Sequence, residues 1–143
     1  ITTMYLAAYN HHARCITIEG APEIYKIANN LFQEKELHNI ETHCCNIDEN
    51  LALILSQLPK LDFVFFDANH TEKATLNYFT QCLNKASEKS IFVFDDIYWS
   101  KGMTKAWKEI KNHPRVRVSI DIFEMGIVYF DKELQKGDYT LRF

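Results

Sequence analysis

The sequence predicts an α/β fold: a three-layer sandwich whose mostly parallel sheet is covered by helices and closed by an antiparallel hairpin. Three observations predict it. Short β-branched or aromatic runs alternate with longer stretches of helical apolar spacing, the order that parallel strands and crossover helices require. Residues 61–70 (LDFVFFDANH) and 90–97 (SIFVFDDI) each hold four apolar residues in a row and stop abruptly at aspartate, the pattern of strands buried on both faces. Near the end, residues 116–123 alternate in polarity, and only Glu124-Met125-Gly126 separates them from the apolar run 127–130. Three residues permit a hairpin and forbid a parallel crossover.

Taken in order, residues 1–10 carry Ile1, Met4, Tyr5 and Ala8 at helical spacing, with no N-cap before them. Cys15–Glu19 is a β-branched strand ending in an acid, followed by Gly20. Pro22 suits the first turn of a helix, whose apolar stripe is Ile24, Ile27, Ala28, Leu31 and Phe32 and whose stop is Asn39. Residues 40–45 form the next strand. Asp48 is the expected cap of a helix with Leu51, Ile54, Leu55 and Leu58 inward, closed by Pro59. The strand at 63–66 follows, then a helix capped by Thr71 with Leu76, Phe79 and Leu83 inward. After the strand at 91–94, Ser100 caps a helix with Met103, Ala106, Trp107 and Ile110 inward, ending before Pro114.

With 143 residues, 47% apolar and 24% charged, the chain is expected to make one domain, 1–143. A net charge of −3 gives no electrostatic case for nucleic acid or an anionic membrane, and no apolar run approaches a membrane span. Cys15, Cys44, Cys45 and Cys82 read as reduced core thiols, which implies a cytoplasmic setting. The bland readings are kept for several residues: a solvated loop for His11 and His12, a structural role for His43, and a solvated helix face for Lys101, Lys105, Lys108 and Lys111.

The order of elements, the acid closing Cys15–Glu19, and the FFDANH and FDDI runs together resemble the class I S-adenosylmethionine-dependent methyltransferase fold, a Rossmann-like sandwich. Within it they look like the small-molecule O-methyltransferase branch, with its catechol and caffeoyl-CoA enzymes and bacterial relatives. The resemblance covers essentially the whole chain. One family feature is absent: Gly20, Gly102, Gly126 and Gly137 form no glycine-rich loop. The helix at 1–10 matches the one that follows this loop in the family. The resemblance therefore implies an N-terminally truncated sheet that lacks its first strand, a gap between the strands at 15–19 and 63–66, and poor cofactor binding by the chain alone.

The resemblance also implies roles. Glu19, with two acceptor oxygens, is placed to take the hydroxyls of a ribose; Gly20 lets a cofactor approach the backbone; Asn46 and Ile47 match positions bordering adenine. Asp67 is a cofactor-side and catalytic candidate. Asp67, Asp95 and Asp96 match the metal-binding positions of the metal-dependent members, where Mg²⁺ or another divalent cation takes carboxylate oxygens and acidifies a substrate hydroxyl. Three acids in one crevice otherwise repel. His70 is a candidate general base, and Asp96 a further catalytic candidate. Tyr98 and Trp99 suit the wall of an aromatic pocket or plain packing.

The function these residues imply is S-adenosylmethionine-dependent methyl transfer to an oxygen of a small molecule. A methyltransferase-like binding domain and a nicotinamide-dependent oxidoreductase stand as alternatives. The expected partners are a small-molecule substrate, no nucleic acid and no membrane, with a homodimer left open.

Overall fold

β-Branched residues help make two strands of the amino-terminal half, β1 (Cys15–Glu19) and β2 (Ile40–Cys44). They pair in parallel from Cys15↔Ile40 to Glu19↔Cys44. The structure is a computed structural model and describes residues 1–142. The chain divides into two units, Ile1–Asn50 and Leu51–Phe143.

In the first unit, α1 (Thr2–Tyr9) packs on β1, and α2 (Pro22–Glu34) packs on both strands. Pro22 opens α2 as expected. The helix stops before Asn39. Glu36 takes φ 53°, and the Leu37 N–H reaches the Phe32 carbonyl at 3.0 Å, so the last turn closes on itself. Asn39 acts elsewhere: its Nδ2 donates to the carbonyls of Ala7, Asn10 and Ala13 at 3.1, 3.2 and 3.0 Å, tying the turn after α1 to the start of β2. The core is small, with Ala7, Phe32 and Leu37 buried. The expected inward stripe of α2 is only partly covered, since Ile24 is 53% and Ile27 65% exposed. A two-stranded sheet is too narrow to cover the whole stripe.

The helix α3 (Ile47–Ser56) runs across the boundary between the units and buries Leu51, Ile54 and Leu55. Its cap is Asn46 rather than Asp48. The Asn46 Oδ1 accepts the Asp48 N–H at 2.9 Å, which leaves Asp48 inside the first turn, where an acid suits the helix dipole.

The second unit contains β3 (Leu61–Phe66), α4 (Glu72–Leu83), β4 (Ala86–Phe94), α5 (Lys101–Lys111), β5 (Val118–Asp121), β6 (Gly126–Tyr129) and β7 (Gly137–Thr140). The strands form a five-stranded sheet in the order β3-β4-β6-β5-β7. β3 and β4 are parallel. The hairpin β5–β6 is antiparallel as expected, and β6 lies beside β4, antiparallel to it. Thr71 and Ser100 cap α4 and α5 by accepting the N–H of Ala74 and of Met103. The core joins Tyr78, Phe79, Phe92, Phe94, Trp107, Ile110, Val128 and Phe130, all buried. Phe66 stacks on Phe94 at 4.4 Å.

Three further features depart from expectation. Burial on both faces, expected for both apolar runs, holds better for β4 than for β3, where Phe63 is 42% exposed. The reason is position: β3 is the edge of its sheet. β7 was not foreseen; it pairs in parallel with β5. Cys44 is exposed rather than a core thiol, while burial pushes the Cys82 thiol up to about 12. The described strands fall into two sheets, β1–β2 and the five-stranded one, and no described strand pairs with both β1 and β3. Nothing here would admit a side chain at Gly126: a Cβ would lie 2.6 Å from two Trp107 ring carbons.

Candidate active site

In the first unit the residues of interest stand at the carboxyl ends of β1 and β2. The Glu19 Oε1 accepts the Ala21 N–H at 2.8 Å. That bond fixes the carboxylate at the strand end and leaves acceptor capacity on its other oxygen. Cys45 N–H donates to the Glu19 carbonyl at 3.1 Å, carrying the pairing one residue past β2. Gly20 is exposed, and a Cβ there would meet only the Cys45 carbonyl, at 3.8 Å. The chain itself therefore does not demand glycine. Asn46 is exposed and occupied in capping α3, and Ile47 is the half-buried first residue of that helix.

In the second unit the register Phe66↔Phe94 sets Asp67 and Asp95 at neighbouring strand ends, and the Asp95 N–H continues the ladder to the Phe66 carbonyl at 2.9 Å. Two turns then bring side chains back over this rim. Asn69 has φ 57° and Asp96 φ 53°, a left-handed conformation that Asn and Asp tolerate better than most residues. Past the first turn lies His70, whose Nε2 is 3.5 Å from Asp67 Oδ1 and whose Nδ1 is 3.6 Å from Asp96 Oδ2. The imidazole is thus flanked by two carboxylates, and its ring lies 6.4 Å from that of Trp99. The Asp95 Oδ1 accepts the Asp96 N–H at 3.0 Å. Burial raises the Asp95 carboxyl above its ordinary range; Asp67 and Asp96 add to the rise, while the Asp96 N–H and His70 oppose it.

The structure therefore gathers the foreseen residues as two groups: Glu19, Gly20, Asn46 and Ile47 in one unit, and Asp67, His70, Asp95 and Asp96 in the other. The donor chemistry of the second group suits a hard cation. Yet among the described residues no group of three or more His, Cys, Asp or Glu is spaced to hold a metal ion, and an imidazole lies between Asp67 and Asp96. As arranged, the three acids do not form a ligand set.

Two contributors, Asn69 and Asp121, were missed in the sequence. Asn69 makes the turn that aims His70, and its Nδ2 donates to the Tyr78 hydroxyl. The Tyr98 hydroxyl donates to Asp121, which is buried at 3% exposure. An aspartate in an alternating strand gives no sign that its partner is a tyrosine 23 residues earlier. For Asn69 a signal existed, since Asn is a residue that takes the left-handed turn.

A methyltransferase-domain family profile matches residues 1–97. No curated protein matches the chain. Among solved structures, the chain resembles the O-methyltransferase TomG from Streptomyces achromogenes, involved in tomaymycin synthesis and in complex with S-adenosylmethionine. The TM-score is 0.77 at 18% identity, over 91% of this chain and 68% of that one. It also resembles the O-methyltransferase from Bacillus cereus in complex with S-adenosylhomocysteine, with TM-score 0.66 at 18% identity over 81% and 62% of the two chains. A third match is MycE of the mycinamycin pathway, in complex with Mg, S-adenosylhomocysteine and mycinamycin VI, with TM-score 0.59 at 15% identity over 91% and 48%. These likenesses give the fold as α/β of the Rossmann-like methyltransferase type. No helix among the described residues is long and apolar enough to cross a membrane.

Proposed function

The chain belongs to the methyltransferase-domain family, and we propose that it takes part in moving the methyl group of S-adenosylmethionine to a hydroxyl oxygen of a small molecule, with His70 as general base. The observation that carries this reading is the imidazole held between Asp67 and Asp96, at 3.5 and 3.6 Å, on the carboxyl ends of β3 and β4. In open α/β sheets this rim is where ligands sit.

S-adenosylmethionine, when bound, supplies an electrophilic methyl on a sulfonium. The residues at the end of β1 fit such a group: Glu19 holds a carboxylate ready for a vicinal diol, and Gly20 leaves the backbone open. His70 performs the proton chemistry. The imidazole, with Asp67 and Asp96 beside its two nitrogens, takes the acceptor's hydroxyl proton as the oxygen bonds to the methyl and the methyl–sulfur bond breaks, its electron pair staying with S-adenosylhomocysteine. The carboxylates of Asp67 and Asp96 then stabilise the imidazolium by charge. Alignment of the attacking oxygen with the methyl supplies the remainder of the rate. No step is routed through a metal ion, because Asp67, Asp95 and Asp96 are not spaced as ligands.

The test is direct. The protein, together with any segment that precedes residue 1 in its natural form, is incubated with S-adenosylmethionine and a panel of hydroxylated small molecules. S-adenosylhomocysteine and the methyl ether are then sought by mass spectrometry. Methyl ether formation is expected. Product methylated only on nitrogen, or no S-adenosylhomocysteine with any acceptor, overturns the reading.

A further inference from the structure

Trp107 on α5 fills space against β6, where a Cβ at Gly126 would lie 2.6 Å from two carbons of its six-membered ring. A purely apolar side chain could fill space there without bringing in a polar atom. The indole brings an N–H into a residue only 3% exposed, and among the described residues its Nε1 has no hydrogen-bond partner. A buried tryptophan N–H ordinarily finds an acceptor, and leaving one unmet costs free energy. A donor left over on a well-packed helix points to an acceptor from outside the chain.

Trp107 lines a cavity of about 380 Å³ in the second unit, walled by α5, by Tyr98 of the loop after β4 and by Asp138 of β7. That volume is within the range of small-molecule sites. Asp67, His70, Asp95 and Asp96 do not line it. Most of the side-chain donors around it are engaged. The Tyr98 hydroxyl donates to Asp121, the Thr104 hydroxyl to the Ser100 carbonyl at 3.0 Å, the Lys111 Nζ to Asp138 Oδ2 at 2.7 Å, and the Asn112 Nδ2 to the Lys108 carbonyl at 2.7 Å. Lys108 differs: it is exposed, and among the described residues it forms no ion pair. Its neighbours one turn away on either side, Thr104 and Asn112, carry no charge. The cavity therefore offers two unmet donors, a neutral indole N–H and a cationic ammonium.

We propose that this cavity is a second small-molecule site and that it holds a monocarboxylate. A carboxylate has two acceptor oxygens, one for the Trp107 N–H and one for the Lys108 ammonium, and its charge strengthens both bonds. The charge balance selects a single negative charge. Lys111 and Asp138 cancel as a pair, Lys108 adds one positive charge, and Asp121 stands behind Tyr98. A dianion would meet carboxylates with no second free cation to offset them. The rings of Tyr98 and Trp107 supply an apolar side for the body of the acid. The site goes beyond the methyl-transfer reading and does not depend on it.

The experiment follows the Trp107 indole N–H by heteronuclear NMR in the natural full-length protein, that signal being assigned through correlations to the backbone of the same residue. Benzoate is titrated, then benzamide, its neutral counterpart, and phenyl phosphate, a dianion. Benzoate should move the signal saturably, with a Kd of about 1 mM or tighter. Benzamide should bind about tenfold more weakly, the loss expected when a charge-assisted hydrogen bond becomes a neutral one, and phenyl phosphate no more tightly than benzoate. Lys108→Gln, an exposed substitution that spares the fold, should weaken benzoate by about tenfold at an unchanged thermal midpoint. A Trp107 signal that does not move, an equal response to benzamide, tighter binding of phenyl phosphate, or unchanged benzoate affinity in Lys108→Gln overturns the site.

Discussion

The strand pairs β1–β2 and β3–β4 are both parallel, and each delivers carboxylate at its rim, yet they are built from unequal material. β1 and β2 hold half-buried positions throughout most of their shared register, and the unit around them buries Ala7, Phe32 and Leu37. β4 buries Ser90, Phe92 and Phe94 almost completely and is covered by Phe79 and Trp107. The acids differ in the same sense. Glu19 is fixed by one backbone N–H. Asp67, Asp95 and Asp96 share an imidazole, a backbone N–H and one another's charge. A well-packed strand can hold several like charges close together, because its backbone does not yield to their repulsion. A thinly packed one supports a single acid whose partner is expected to be a ligand.

Substitutions can break that contrast or sharpen it. The largest effect belongs to the shared imidazole: His70→Ala should lower methyl transfer by about 10²–10⁴-fold, the usual range for a general base, with cofactor affinity unchanged. Turnover in excess EDTA should persist. Its abolition by chelator and return with Mg²⁺ would hand the proton chemistry to an ion among Asp67, Asp95 and Asp96.

Packing comes next. Phe92→Ala should cost about 3–5 kcal/mol in urea unfolding, whereas Ile27→Ala on the exposed face of α2 should fall within about 0.5 kcal/mol. Equal losses would erase the difference between the units. Third, Glu19→Gln keeps an oxygen for the Ala21 N–H but removes the charge. Weakening of S-adenosylmethionine binding by about 1.5–3 kcal/mol is expected by calorimetry, and unchanged affinity would take Glu19 out of the site.

The smallest effect concerns Asp95. Its folded-state pKa is raised, so the folded protein holds that proton more tightly than the unfolded chain. The resulting penalty is absent below the ordinary carboxylate range and fully present once pH exceeds the raised value. Asp95→Asn keeps the acceptor for the Asp96 N–H and should raise the thermal midpoint at neutral pH, with the gain shrinking as pH falls through that window. A gain that does not change with pH would mean the effect is not electrostatic.

Much of this was legible in the chain. Thr71 and Ser100 announce their helices because a hydroxyl before an apolar-periodic run satisfies free N–H groups. The closing hairpin follows from a three-residue connection. The acids at 67, 95 and 96 could be placed at one rim from the abrupt ends of two apolar runs. The imidazole between them could not, since its position depends on the backbone sign at Asn69 and Asp96. Nor could the exposure of Ile24, Ile27 and Phe63, which records how much sheet is available to cover them rather than anything in their own spacing. β7 escaped notice because Gly137-Asp138-Tyr139-Thr140 has little apolar character and lies at an edge.

The contact between Gly126 and Trp107 bears on how this sequence can drift over generations. The indole fills the space where any side chain at 126 would begin, so neither position can change freely by itself. Enlarging 126 first collides with the indole; shrinking 107 first leaves a void behind β6. Descendants that alter the pair should do so together, with a smaller ring or an aliphatic residue at 107 accompanying alanine at 126. Across relatives the two columns are then expected to covary, a signature that an alignment can read.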